Sequence, residues 1–146
     1  MGSCGGIDAG FAVGARSRGG THGDATAMMA RRVLILEDSL IIAMEAEEIL
    51  HEMGAEVVEI AATIEQAVSA LHTFAFDFAL LDVNLGEAMS FGFARLLAER
   101  GIPFGFVSGY SDTMDFPPDM QEVALLVKPF DEAAMQQFLE KVFGLS

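Results

Sequence analysis

From Arg31 onward the chain alternates between two hydrophobic periods. Short unbroken apolar runs are the mark of strands buried on both faces. Stretches with apolar residues three and four apart are the mark of amphipathic helices. Val33-Leu34-Ile35-Leu36 is the first run. Ile42, Ala46, Ile49, Leu50 and Met53 then make one helical stripe over residues 39–53, with Ser39 placed as N-cap and Gly54 just past the end. Residues 55–63 predict a second strand around Val57, Val58 and Ile60, and Ile64, Ala67, Val68 and Leu71 predict a second helix. Residues 76–83 form a third strand, apolar enough to be central. Asn84-Leu85-Gly86-Glu87 reads as a loop, and a helix follows over residues 91–100, ended by Gly101 and Pro103. Residues 104–107 are the fourth strand. Pro117-Pro118 allows residues 112–120 only a short or broken helix. Residues 125–127 are the fifth strand, and Met135, Phe138, Leu139 and Val142 make the buried face of the last helix.

Strands alternating with helices predict an α/β fold, a doubly wound five-stranded parallel sheet. Right-handed crossovers and the usual order for such sheets give the flavodoxin-like order 2-1-3-4-5 with helices on both faces. Residues 1–30 are rich in Gly, Ala, Ser and Thr without a strong period, and read as a flexible N-terminal extension before a domain at 31–146. They hold no apolar core of a secretory signal. Met28 and Met29, just ahead of the ordered pattern, are candidate starts, and Arg16 and Arg18 belong to a solvated tail. The chain has no internal repeat.

Composition narrows the classes of function. A length of 146 residues predicts one domain with a full core and no separate output domain. With 52% hydrophobic and 21% charged residues the chain is globular, and no uncharged apolar run approaches the roughly 18 residues of a membrane span. The formal net charge of -14 opposes binding to nucleic acid or to an anionic membrane surface, so neither is expected as a partner. Proteins with basic or apolar surfaces are. The single cysteine, Cys4, cannot form an internal disulfide, and a reducing cytoplasm is the expected setting.

The candidate chemistry lies where the apolar runs stop. Glu37 and Asp38 end the first, Asp82 the third, Ser108 the fourth and Lys128 the fifth. In a parallel sheet these ends share one edge, and ligands bind there at the switch point between strands one and three. Three carboxylates meeting in one crevice repel one another unless a cation sits among them. Hard oxygen donors favour Mg²⁺, with Mn²⁺ as the alternative. A backbone carbonyl from Asn84 is placed to complete the donor set. Asp82 is the candidate nucleophile, able to take a phosphoryl group as an acyl phosphate. Lys128 would hold one phosphoryl oxygen as a point charge, and Ser108 would donate to another.

These residues carry a resemblance. The pair Glu37-Asp38, then Leu81-Asp82-Val83-Asn84, Ser108-Gly109 and Lys128-Pro129-Phe130 run in the order of a response-regulator receiver domain, over residues 31–143. The resemblance implies that Asp82 accepts phosphate from a phosphohistidine with Mg²⁺ held by Glu37 and Asp38, and that Lys128-Pro129 is a cis peptide. A narrower resemblance lies in Pro103-Phe104-Gly105-Phe106-Val107-Ser108-Gly109-Tyr110, which is similar to the Pro-Phe-x-Phe-Ala-Thr-Gly-Tyr signature of single-domain alphaproteobacterial receivers, the FATGUY regulators. That group implies a histidine kinase of the HWE or a related type, or a histidine phosphotransfer protein, as partner, in general stress signalling. Val107 and Ser108 depart from the signature; Ser108 keeps the hydroxyl and loses a methyl.

A further departure concerns the readout. Many receivers place a Tyr or Phe three residues before the lysine, and here that position is Leu125. Tyr110, the only tyrosine, is the candidate shield of an acyl phosphate against water, with an exposed loop tyrosine as the plainer reading. Ile41 and Met44 lie off the core stripe beside the acid pair, where a kinase helix would dock. His51 and His72 lack metal-ligand spacing and read as structural. The expected protein is a stand-alone phosphoacceptor, catalysing its own phosphorylation and dephosphorylation and no metabolic turnover. Two alternatives stand beside it. One is a phosphorylation-independent binding module, and the other is an aspartyl-phosphate phosphohydrolase of the haloacid-dehalogenase type. The second needs an acidic residue two positions after the nucleophile, where this chain has Asn84.

Overall fold

The computed structural model describes residues 31–85, 88–109 and 116–144, Ala88 by its backbone alone. The N-terminal extension, Cys4, Arg16, Arg18, Gly86, Glu87 and Tyr110 therefore lie outside the described residues. Five parallel strands form the main sheet: β1 (Arg32–Leu36), β2 (Val57–Ala61), β3 (Phe78–Asp82), β4 (Phe104–Ser108) and β5 (Leu125–Val127). Their spatial order is β2-β1-β3-β4-β5, the doubly wound 2-1-3-4-5 arrangement. The described helices are α1 (Leu40–Glu52), α2 (Ile64–Thr73), α3 (Phe91–Glu99) and α4 (Glu132–Phe143), with a single 3₁₀ turn at Pro118–Met120.

The helix ends follow from local chemistry. Thr63 accepts the Gln66 N–H at 3.1 Å while the Gln66 side chain accepts the Ala62 N–H at 2.7 Å, a near-reciprocal cap for α2. Asp131 caps α4 by accepting the Ala134 N–H at 2.9 Å, and Gly144 closes that helix at φ 73°, a left-handed conformation that strains residues with a side chain. Ser39 stands at the N-cap of α1, but its hydroxyl makes no capping bond. The turn is held instead by Glu37, whose carboxylate accepts the Ser39 N–H at 3.1 Å.

Alternation along each strand sorts side chains onto two cores. Val33, Ile35, Phe78, Leu80 and Val107 pack beneath α1 and α4, with Met135 and Phe138. Leu34, Leu36, Leu81 and Phe106 pack beneath α2 and α3, with Phe93 and Leu97. β3 is buried at every position, as a central strand must be. Gly105 lies where the first core is tightest. A Cβ there would enter the Phe138 ring, 2.6 Å from Cε1, and stand 3.2 Å from the Ala124 carbonyl.

Two expectations are corrected. The second strand spans Val57–Ala61 and is shorter than residues 55–63, because Ala55 and Glu56 use their N–H groups to close the end of α1 and to reach Arg31. The stretch after Asp82 is not plain loop. Asn84–Leu85 pairs antiparallel with Ala88–Met89 as a short hairpin, and Ser90 N–H closes it on the Val83 carbonyl at 3.1 Å. Two residues per strand leave no apolar period to read.

Candidate functional site

Register brings the strand ends together. β1 pairs with β3 up to Leu36 opposite Leu81, so Glu37 and Asp82 emerge side by side. Asp82 sits opposite Val107, and Ser108 opposite Val127, so Ser108 and Lys128 follow in the next two strands. Backbone bonds lock these ends: Glu37 N–H to Ala61 carbonyl at 2.9 Å, Val83 N–H to Val107 carbonyl at 3.0 Å, and Lys128 N–H to Ser108 carbonyl at 2.8 Å. The Lys128-Pro129 peptide is cis.

The side chains converge as well. Glu37, Asp38 and Asp82 each place a carboxylate oxygen within 4.8 Å of the others. Glu37 and Asp82 are buried, whereas Asp38 is exposed. The Lys128 Nζ lies 3.1 Å from Glu37 Oε1 and 3.5 Å from Asp82 Oδ2, its side chain mostly buried over the pair. The Asn84 N–H donates to Asp82 Oδ1 at 3.4 Å, a long bond, while the Asn84 side chain is exposed. Ser108 is half-buried at the end of β4. Below the acids, Ala43, Ala46, Leu80, Val107 and Phe130 line a small apolar hollow that screens the carboxylates from water on that side.

Burial dominates the electrostatics. It pushes Glu37 from 4.5 up to about 7; the Asp82 charge adds to that, while the Ser39 N–H and Lys128 oppose it. Burial also raises Asp82, and there Lys128 is the largest opposing influence. Two carboxylates at 4.8 Å repel by about 3 kcal/mol at an effective dielectric of about 20. One ammonium cannot neutralise three such groups. A buried all-oxygen donor set with surplus negative charge fits a small divalent cation.

Four of the expected site residues, Glu37, Asp38, Asp82 and Lys128, meet in one cluster. Ser108 and Asn84 adjoin it by register, Leu125 is half-buried on the α3 side of β5, and Tyr110 lies outside the described residues. Sequence reasoning missed the second task of Glu37, which grips both Lys128 and the first turn of α1. No spacing rule signals it, since it depends on Glu being one methylene longer than Asp. It also missed Ser90, fully buried at the head of α3 with a hydroxyl that has no hydrogen-bond partner among the described residues.

Comparison with known proteins agrees with this architecture. Residues 33–140 match the sequence model of the response regulator receiver domain. The chain is 34% identical over 110 residues to the transcriptional regulatory protein PdtaR of Mycobacterium tuberculosis H37Rv, across 73% of this chain and 54% of that protein. It thus spans about half the length of the curated relatives it matches. Among solved structures, SdrG from Sphingomonas melonis Fr1 superposes with a TM-score of 0.69 at 32% identity, over 77% of this chain and 96% of that one. The anti-anti-sigma factor PhyR from Bartonella quintana superposes with a TM-score of 0.70 at 25% identity, over 79% of this chain and 48% of that one. The chemotaxis response regulator CheY4 of Vibrio cholerae, at 23% identity and a TM-score of 0.67 over 77% of this chain and 98% of that one, shares the fold. The family match runs from β1 into α4 and leaves no strand of the sheet outside it; this chain belongs to the response regulator receiver domain family.

Proposed function

We propose that this chain takes a phosphoryl group on Asp82 from the phosphohistidine of a histidine kinase or a histidine phosphotransfer protein, and signals through protein contacts or onward phosphotransfer. The observation that carries the reading is the buried Asp82 carboxylate with Lys128 Nζ at 3.5 Å and two further acids within 4.8 Å. Magnesium, or manganese in its place, would be held by Glu37, Asp38, Asp82 and the Asn84 carbonyl. When bound, it neutralises non-bridging phosphoryl oxygens and aligns the donor.

The chain's own residues do the rest. Ionised Asp82 needs no general base: its oxygen attacks phosphorus, the P–N bond breaks, and the imidazole leaves with that electron pair, neutral once its second nitrogen is protonated. Lys128 would supply a positive charge to one transferred phosphoryl oxygen, and Ser108 would donate a hydrogen bond to another. Metal-dependent self-phosphorylation and self-dephosphorylation would make this a signalling domain with no metabolic turnover.

The donor's docking surface would lie on α1. Leu40, Ile41 and Met44 are 63%, 72% and 54% exposed directly after the acid pair, an apolar patch at the rim of the pocket. The Pro103–Tyr110 signature supports a kinase of the HWE or a related type. Two structural neighbours are described as an anti-anti-sigma factor and as a stress response regulator, which supports a place in general stress signalling. A cytoplasmic setting agrees with this reading.

Intact-mass measurement after incubation with Mg²⁺ and phosphoramidate tests it. The wild type should gain one phosphate and Asp82→Ala none. An adduct on both proteins, or on neither, overturns the assignment.

A further inference from the structure

Position 125 carries no ring, yet three rings pack together in the core on the same side of the sheet. Two chain segments leave the site. One runs from Asp82 through the hairpin to Phe91, the first residue of α3, and is closed by the Ser90 N–H on the Val83 carbonyl at 3.1 Å. The other leaves β4 at Ser108, and the next described residue after Gly109 is Phe116, which is buried. The rings that end these two segments meet each other, with centroids 5.1 Å apart at 61°. Both also meet Phe106 edge-on, each at 5.6 Å. Phe106 is fully buried, two residues before Ser108, and strand alternation puts both on the same face of the sheet.

We propose that Phe91 and Phe116, seated on Phe106, are a positioning pair that holds the Ser108 side of the pocket against the Asp82 side. This rests on the reading of Asp82 as phosphoacceptor. A second tie joins the same two segments: Arg95 on α3 donates through Nε and Nη2 to the two carboxylate oxygens of Asp119, each at 3.0 Å. That pair is exposed and contributes little energy, but its fork fixes the approach of α3 to the 118–120 turn. Leu125 packs against the core cluster that holds these rings. A shift of Phe91 or Phe116 is therefore felt by the other ring and by Phe106 through contacts that lose energy when tilted or parted.

The pair predicts a split between two ligands. The three acids of the cluster follow β1 (Glu37 and Asp38) or end β3 (Asp82) and do not need the Ser108 side of the pocket. A tetrahedral phosphoryl group needs both sides. The test is a double-mutant cycle on the full chain with Phe91→Leu, Phe116→Leu and the double variant. Mg²⁺ alone is titrated by amide NMR, and beryllofluoride with Mg²⁺ is titrated by its bound ¹⁹F resonance. Mg²⁺ affinity should stay within about twofold in all four proteins. Beryllofluoride affinity should fall about 3- to 10-fold in each single variant, with the double variant little worse than either, a coupling of about 2- to 10-fold. Losses that simply multiply, or Mg²⁺ affinity falling in parallel, would overturn the proposal. If the leucine forms do not fold, the same cycle with methionine at both positions decides it on the same criteria. A wild type that binds Mg²⁺ but no beryllofluoride would instead overturn the reading of Asp82 as phosphoacceptor.

Discussion

Burial of Glu37 makes a prediction about stability and pH that can be worked through to a number. Its carboxyl is raised from 4.5 to about 7, first by burial and then by the Asp82 charge. The folded protein therefore binds this proton more tightly than the unfolded chain does. For an acid raised in this way, the folded state is most favoured below about pH 4.5 and loses stability as pH climbs toward about 7. The interval is roughly two and a half pH units at about 1.36 kcal/mol each, so the ionised, metal-free site costs about 3 kcal/mol above pH 7. Asp82 is shifted in the same direction by burial and adds to the loss.

Other acids also titrate, so the perturbation that isolates this effect is Glu37→Gln. The amide cannot ionise and keeps the shape, but its single oxygen can accept from the Ser39 N–H or from Lys128 and not from both, because these use different oxygens of Glu37. Urea unfolding midpoints of both proteins should be measured from pH 4.5 to 8 with chelator present. Near pH 4.5 the variant should be no more stable than wild type, since it loses one acceptor contact. Between pH 4.5 and 8 the difference should move by about 3 kcal/mol in favour of the variant, a large share of an ordinary domain's stability. Saturating Mg²⁺ should then restore wild type preferentially, because a cation held only by the folded state would stabilise the ionised acids. A stability difference that does not change with pH would refute the buried-acid argument. So would Mg²⁺ stabilising both proteins equally.

Three further outcomes follow from the geometry. Gly105→Ala should destabilise the domain by about 1–3 kcal/mol, because a Cβ there enters the buried Phe138 ring; an unchanged thermal midpoint would show that α4 yields without cost. Ile41→Glu should slow phosphotransfer from the histidine donor at least several-fold while leaving phosphoramidate labelling and thermal midpoint unchanged, since Ile41 is 72% exposed; equal losses with both donors would move the docking surface elsewhere. Asp131→Ala should lower stability by about 1 kcal/mol through loss of the Ala134 N–H bond, seen as a thermal midpoint a few degrees lower.

Much of the fold was legible because a parallel sheet covered on both sides writes its strands as unbroken apolar runs. β3 is buried at all positions, and residues 76–83 contain no charge before Asp82 apart from Asp77. Asp77 marks the strand's start, where its carboxylate accepts the Arg31 and Arg32 N–H groups. The helices were equally legible from spacing, and Met135, Phe138 and Leu139 face the core as their period requires. What could not be read was decided by tertiary pairing. Asn84–Leu85 and Ala88–Met89 are too short to show alternation, and Ser39 loses its expected capping role because Glu37 reaches its N–H.

The pocket shows the same division on a smaller scale. Placing Glu37, Asp38, Asp82 and Lys128 at one sheet edge needed only parallel strands and their order, because side chains at strand ends have few places to go. Their pairing needed distances. Lys128 lies closer to Glu37 than to Asp82, 3.1 Å against 3.5 Å, so Glu37 grips the ammonium at least as closely as the candidate acceptor does. A cation held among the three acids would have to compete with that ammonium for Glu37 Oε1. The grip rests on the four-atom reach of Glu37, and an aspartate at position 37 would weaken it.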